Sequence, residues 1–125
     1  MNRIVRISAI CLLVCLLAVA AGAATALYEG IGKATFTPNV VTTLTDAPDA
    51  GVAMPAATRA IEITVETNPI RYWTTGDDPT ATAGLVLYAG TTLFQDDPNW
   101  INGFKFIDTS AGASTVQVEF RKRVR

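Results

Sequence analysis

The stretch AIEITVET at residues 60–67 alternates apolar and polar side chains. Its apolar side chains are Ile61, Ile63 and Val65, and a glutamate or threonine separates each from the next. Because successive side chains of a β-strand point to opposite faces, this spacing predicts a strand with one buried and one solvated face.

The same alternation recurs along the chain. It is clear in STVQVEFRK at 114–122 and in NGFKFID at 102–108, and weaker β-type segments lie at 33–37, 40–45, 70–75, 84–89 and 91–95. Turn residues separate these segments, and no window of a dozen residues after 26 has helical apolar spacing. We therefore predict an all-β fold with no helix in residues 27–125. The expected architecture is an antiparallel β-sandwich of seven or eight short strands, immunoglobulin-like or jelly-roll-like.

The alternation also predicts a core of about fifteen side chains, which suffices for a self-standing domain of this size. Its members are Phe36, Leu44, Ile61, Ile63, Val65, Ile70, Tyr72, Leu85, Leu87, Leu93, Phe104, Phe106, Val116, Val118 and Phe120.

Residues 1–26 differ in composition from the rest. Arg3 and Arg6 precede an uncharged run from Ile7 to Leu27, and this run ends in the Ala-x-Ala triplets 21–23 and 24–26. A positive start, an apolar centre and small residues before a cleavage point are typical of a signal peptide. We predict a hydrophobic signal helix cleaved after Ala26, with cleavage after Ala23 as second choice. An uncleaved membrane anchor is the alternative, because about 20 apolar residues can span a bilayer.

Cleavage would change the chemistry of the chain. Both cysteines, Cys11 and Cys15, would leave with the signal. Removing Arg3 and Arg6 from the ten basic residues leaves eight against eleven acidic residues, a net charge of −3. Four of the eight lie in the tail 121–125, so residues 27–120 carry −7. This charge argues against nucleic acid as the main partner.

Several kinds of chemistry are excluded by composition. The chain contains no histidine, so imidazole metal sites and catalysis with a histidine base are absent. The mature chain would have no thiol, and no glycine pattern resembles a phosphate-binding loop. We predict a non-enzymatic protein without a cofactor.

Two Asp-Asp-Pro triplets occur, in TGDDPT at 75–80 and FQDDPNW at 94–100. Asp and Pro favour the first two positions of turns, so we interpret both triplets as strand ends followed by turns. The carboxylates lack the alternate spacing of a calcium loop, and we predict no metal site. They are only weak candidates for one, in case both turns fall at the same end of the sandwich. These four residues are Asp77, Asp78, Asp96 and Asp97.

The aromatic candidates for partner binding are Trp73 and Trp100. Alternation along IRYW at 70–73 places Arg71 and Trp73 on the outer face, where they are candidates for a subunit contact. Trp100 lies in a turn-like segment, where it either plugs one end of the sandwich or stacks on a sugar ring.

The basic residues at the end of the chain are Arg121, Lys122, Arg123 and Arg125. Three interpretations remain open: a solvated strand end, a contact with the acidic body of a partner or of another copy, and binding to nucleic acid or anionic lipid. We expect membrane contact only through residues 1–26.

A resemblance covers residues 60–122. The segments IEITVETNPIRYWTTGDDPTATAGLVLYAGTTLF at 61–94 and INGFKFIDTSAGASTVQVEFRK at 101–122 resemble a group of small β-rich proteins encoded by tailed bacteriophages and prophages. The resemblance implies a virion-associated accessory or decoration role, with many copies on a larger particle and no catalysis.

The expected function is therefore structural or interaction work, with phage-particle association as the leading interpretation and self-assembly or protein partners implied. The alternative is an exported surface- or carbohydrate-binding module with a surface glycan as ligand. The signal peptide predicts an exported location, periplasmic, cell-surface or secreted, and the resemblance predicts the virion.

Overall fold

A computed structural model describes residues 27–125 of the chain. The signal helix and its cleavage site fall on residues 1–26, outside the described part. No helix within residues 27–125 is long and apolar enough to cross a membrane.

The described chain folds into nine strands and one short helix. In chain order the elements are β1 (Tyr28–Phe36), β2 (Thr42–Thr43), β3 (Ala50–Gly51), β4 (Ala60–Val65), β5 (Ile70–Trp73), β6 (Leu85–Leu87), β7 (Thr92–Gln95), α1 (Pro98–Gly103), β8 (Lys105–Asp108) and β9 (Val116–Arg123).

The strands form two antiparallel sheets, which confirms the predicted all-β sandwich. The five-stranded sheet has the order β3-β1-β9-β4-β7, and the four-stranded sheet has the order β2-β8-β5-β6. The first and last strands, β1 and β9, pair over almost their whole length at the centre of the larger sheet. The chain therefore enters and leaves the domain side by side: the Val124 N–H donates to the Leu27 carbonyl oxygen at 2.9 Å.

The core fills the space between the sheets with the apolar side chains of alternate strand positions. The predicted alternation of β4 and β9 is confirmed, since Ile61, Ile63, Val118 and Phe120 are fully buried. One predicted core residue is wrong: Leu85 is 50% exposed because β6 is the edge strand of its sheet. The core also includes three buried residues that the prediction missed, namely Ala34, Ala60 and Ile101.

The prediction that residues 27–125 contain no helix is wrong. The helix α1 begins directly after Asp97, whose side-chain oxygen accepts a hydrogen bond from the Asn99 N–H at 2.9 Å. Pro98 occupies the first helical turn, where its missing N–H costs nothing. The second Asp-Asp-Pro triplet is therefore a helix start rather than a β-turn.

The order of the elements places the helix across one end of the sandwich. β7 reaches this end at Gln95, α1 crosses it, and β8 starts from it at Lys105. Gly103 packs tightly on the segment after β5, since its carbonyl accepts from the Gly76 N–H at 3.1 Å. Both Asp-Asp-Pro triplets thus lie at the same end of the sandwich.

Candidate functional site

The first Asp-Asp-Pro triplet uses its two carboxylates separately. Asp77 Oδ2 accepts a hydrogen bond from the Thr75 hydroxyl at 2.6 Å, which closes the loop after β5. Asp78 Oδ1 forms an ion pair with Lys105 Nζ at 2.7 Å across to the start of β8. Each carboxylate therefore has its own local partner.

The two carboxylates of the second triplet also have separate partners. Asp97 caps α1, and Asp96 Oδ2 accepts a hydrogen bond from the Tyr28 hydroxyl at 3.0 Å. This hydrogen bond, with smaller contributions from desolvation and the nearby carboxylate charge, raises the pKa of the Tyr28 phenol above its ordinary value. The Arg123 charge partly opposes that rise.

The four aspartates share one end of the sandwich but do not converge on one point. Within residues 27–125, there is no group of three or more Asp, Glu, His or Cys side chains that could bind one metal ion.

Trp100 is part of the packing of the domain. Its ring stacks on Phe104 with centroids 4.8 Å apart, and it also contacts Tyr72 at 6.2 Å. The side chain is only partly exposed and lies against the core cluster. The structure thus places Trp100 where the packing interpretation put it, as a plug at the helix end of the sandwich.

Trp73 lies on the outer face of the four-stranded sheet. The register pairs it with Lys105 and pairs Arg71 with Val86 and Ile107. Directly paired residues of an antiparallel sheet share a face, and the alternate positions Ile70, Leu87 and Phe106 are buried in the core. We call these five outward residues, Arg71, Trp73, Val86, Lys105 and Ile107, the Trp73 face.

The Trp73 face combines apolar surface with two cations, and all five side chains are half-buried. The Arg71 guanidinium is held in place by a hydrogen bond, in which its Nη1 donates to the Gly84 carbonyl oxygen at 2.8 Å. Its Nε has no hydrogen-bond partner among the described residues. Arg71 and Trp73 are thus brought together as the sequence predicted, whereas Trp100 lies apart from them.

The four basic residues predicted as a tail have different surroundings. Arg121 lies within β9 and its guanidinium contacts Glu62 Oε2 at 2.5 Å and Glu119 Oε1 at 3.6 Å. Its Cζ also lies 6.0 Å from the centroid of the Phe94 ring. Arg121 therefore packs against neighbouring side chains on the outer face of the larger sheet.

The other three cations gather where the chain enters the domain. Lys122 pairs with Glu29 at 2.6 Å, and Arg123 lies beside Tyr28 in the β1–β9 ladder. One surface depression is lined by Lys122, Arg123, Arg125 and also Arg59, whose N–H donates to the Arg121 carbonyl at 2.8 Å. We call Arg59, Lys122, Arg123 and Arg125 the basic corner. No local pattern pointed to Arg59 as a member of this group, because 62 positions separate it from Arg121 in the chain.

The opposite end of the sandwich is acidic. Asp49, Glu66 and Asp108 lie near the end of β1 and the start of β9, because their backbone N–H groups donate to the carbonyl oxygens of Thr35, Thr115 and Pro38. Asp46 lines one surface depression together with Phe36 and Asp49, and so lies near the end of β1 as well. We call these four residues the acidic end. Burial raises the pKa of the Asp108 carboxyl, and the Ser114 N–H, which donates to it at 3.0 Å, partly opposes that rise.

Comparison with known proteins gives no relative from which a role could be transferred. No protein-family model, curated protein or solved structure matches this chain.

Proposed function

We propose that this chain is a non-enzymatic interaction domain whose partner-binding surface is the Trp73 face. The observation that supports the proposal is the placement of Trp73 beside Arg71 on the outer face of the four-stranded sheet. Tryptophan and arginine are the side chains that most often dominate binding energy at protein interfaces. Val86 and Ile107 add apolar surface beside them.

The partner that we propose is a larger particle of the kind assembled by tailed bacteriophages and prophages. The resemblance of residues 60–122 supports this setting, and these residues include all of β5, β6 and β8, which carry the Trp73 face. An accessory domain of this type acts by occupying a repeated surface in many copies, and a sheet face offers the flat, rigid contact that such docking needs.

The experiment that tests this proposal is co-sedimentation of the full chain with purified particles from the same host. Wild type should pellet with the particles in a saturable way. Trp73→Ala should weaken binding by at least tenfold, because a buried aromatic anchor at an interface contributes about 2 kcal/mol or more.

The matched control is Phe94→Ala, which removes a 43% exposed aromatic from the outer face of the other sheet. It should bind as wild type does. Failure of the wild-type chain to pellet rejects the particle setting, and equal loss in both variants rejects the Trp73 face as the contact.

A second candidate is an exported surface- or carbohydrate-binding module. The outward indole of Trp73, with Arg71 and Lys105 as hydrogen-bond donors beside it, favours this candidate. Trp100 does not contribute, since its ring is stacked on Phe104. Glycan-array binding by wild type that Trp73→Ala abolishes would support it, and absence of any bound glycan would reject it.

A further inference from the structure

The basic corner surrounds the point where residues 1–26 join the domain. The Leu27 carbonyl oxygen accepts a hydrogen bond from the Val124 N–H, so the last residue of the uncharged run Ile7–Leu27 lies beside Val124, which Arg123 and Arg125 flank in the chain. We infer that the basic corner docks on the surface of an anionic lipid bilayer. This inference does not depend on the Trp73 face.

The charges of the corner are suited to phosphate headgroups. Only Lys122 has an acidic partner, Glu29; among residues 27–125, Arg59, Arg123 and Arg125 have no carboxylate at ion-pair distance. Guanidinium groups bind phosphate oxygens through several N–H donors at once. Each basic residue close to an anionic bilayer strengthens binding by roughly fivefold.

Apolar side chains accompany these charges. Leu27 is 44% exposed and Val124 is 42% exposed, and both lie at the corner. A weak electrostatic contact becomes stable when an apolar group enters the same membrane, because two signals act together. In the uncleaved chain, the apolar run directly before Leu27 would also hold the corner near the bilayer at a high effective concentration.

The acidic end faces away from a bilayer on which the corner docks. The acidic end lies at the other end of β1, a nine-residue strand, and so roughly 26 Å from the corner. Residues 34–58, which supply Asp46 and Asp49, contain no Lys or Arg. An anionic surface repels this end. Four aspartates lie at the same end of the sandwich as the corner, and each has its own local partner: Asp77 the Thr75 hydroxyl, Asp78 Lys105 Nζ, Asp96 the Tyr28 hydroxyl and Asp97 the Asn99 N–H.

The experiment is hydrogen exchange, followed by mass spectrometry, on the full chain reconstituted into lipid vesicles. One set contains phosphatidylcholine alone, and the other contains about 30% phosphatidylglycerol, a fraction that gives a strongly negative surface. We expect exchange in residues 57–60 and 121–125 to slow by about tenfold in the anionic vesicles only, as for a contact that is about 90% occupied. Residues 37–49 should exchange equally in both.

The variant Arg123→Gln/Arg125→Gln should lose this protection, and so should wild type in high salt, because screening removes the attraction. The matched control is Asn39→Asp/Val40→Glu, which makes the same change in net charge near the acidic end and should keep the protection.

Three results would overturn the inference. The first is equal protection in both kinds of vesicle. The second is protection of the corner without lipid that rises with protein concentration, which would assign it to the acidic end of a second copy. The third is protection by duplex DNA at physiological salt but not by anionic vesicles, which would assign it to nucleic acid.

Discussion

Glu62 and Glu119 lie directly opposite each other on the neighbouring strands β4 and β9. Two like charges at paired positions destabilise a sheet. The Arg121 guanidinium contacts both carboxylates, and so this arginine neutralises a repulsion that the strand register creates.

The variant Arg121→Gln should therefore destabilise the domain by about 1–2 kcal/mol, because two partly buried carboxylates are left facing each other. Adding Glu119→Gln should restore part of the loss. Urea denaturation of the full chain measures both effects. The control is Lys122→Gln, which breaks a more exposed pair with Glu29 and should change stability by no more than about 0.5 kcal/mol. Equal effects of the two single variants would contradict the proposed role of Arg121.

The variant Asp97→Ala should lower stability by about 1 kcal/mol, because it leaves the Asn99 N–H in the first turn of α1 without its side-chain acceptor. Asp97→Asn should retain most of the stability, since asparagine also caps helices well. Trp100 lies in α1, so its fluorescence during urea denaturation reports the change. A stability of Asp97→Ala equal to that of wild type would mean that the cap does not hold the helix.

The two tryptophans should respond differently to truncation. Trp100→Ala should cost about 2–4 kcal/mol, because it removes a ring stacked on Phe104 and packed on the core. Trp73→Ala should cost less than about 1 kcal/mol, because its ring lies on an outer face. Thermal unfolding of both variants tests this. A larger loss for Trp73→Ala would make that residue structural and weaken its assignment to partner binding.

The carboxyl of Asp108 should make stability depend on pH. Its pKa is raised in the folded state because burial disfavours the charged form. Its contribution to folding is therefore fully present below the unfolded pKa of about 3.9 and declines as the pH rises through the folded pKa. Asp108→Asn keeps an acceptor for the Ser114 N–H and should gain stability relative to wild type as the pH rises above about 4.

Denaturation at several pH values measures this difference. The control Ser114→Ala retains the backbone N–H that donates a hydrogen bond to Asp108, so it should keep the pH dependence of wild type. A stability difference between Asp108→Asn and wild type that stays constant with pH would show that the carboxyl does not titrate differently on folding.

Gly103 should tolerate no side chain. A Cβ at this position would lie 2.1 Å from the Thr74 carbonyl oxygen, which is backbone and cannot rotate away. Gly103→Ala should therefore cost about 2 kcal/mol or more. Gly76→Ala is the control: its positive φ strains alanine by about 1 kcal/mol, but no atom lies within 4 Å of the added Cβ. Equal losses in thermal unfolding would contradict the close contact at Gly103.

The second Asp-Asp-Pro triplet contains a local signal for a helix start, although the helix itself was not predicted. An aspartate followed by proline is a helix-start signal, and Asp97 and Pro98 supply it. The prediction missed α1 because a six-residue helix is too short to show apolar periodicity. Leu85 was predicted wrongly for a different reason. The alternation of β6 was predicted correctly, but only the order of the strands shows that β6 lies at the edge of its sheet, where Leu85 stays exposed.

The sequence by itself determined the fold class, the two faces of the main strands and the outward position of Trp73. These properties follow from the alternation of neighbouring side chains, which is local. Only the tertiary structure decided that Arg59 joins the basic residues 122–125, that Leu27 lies beside Val124, and that the four aspartates share one end without converging. These relationships depend on strand pairing between distant parts of the chain, which no short stretch of sequence specifies.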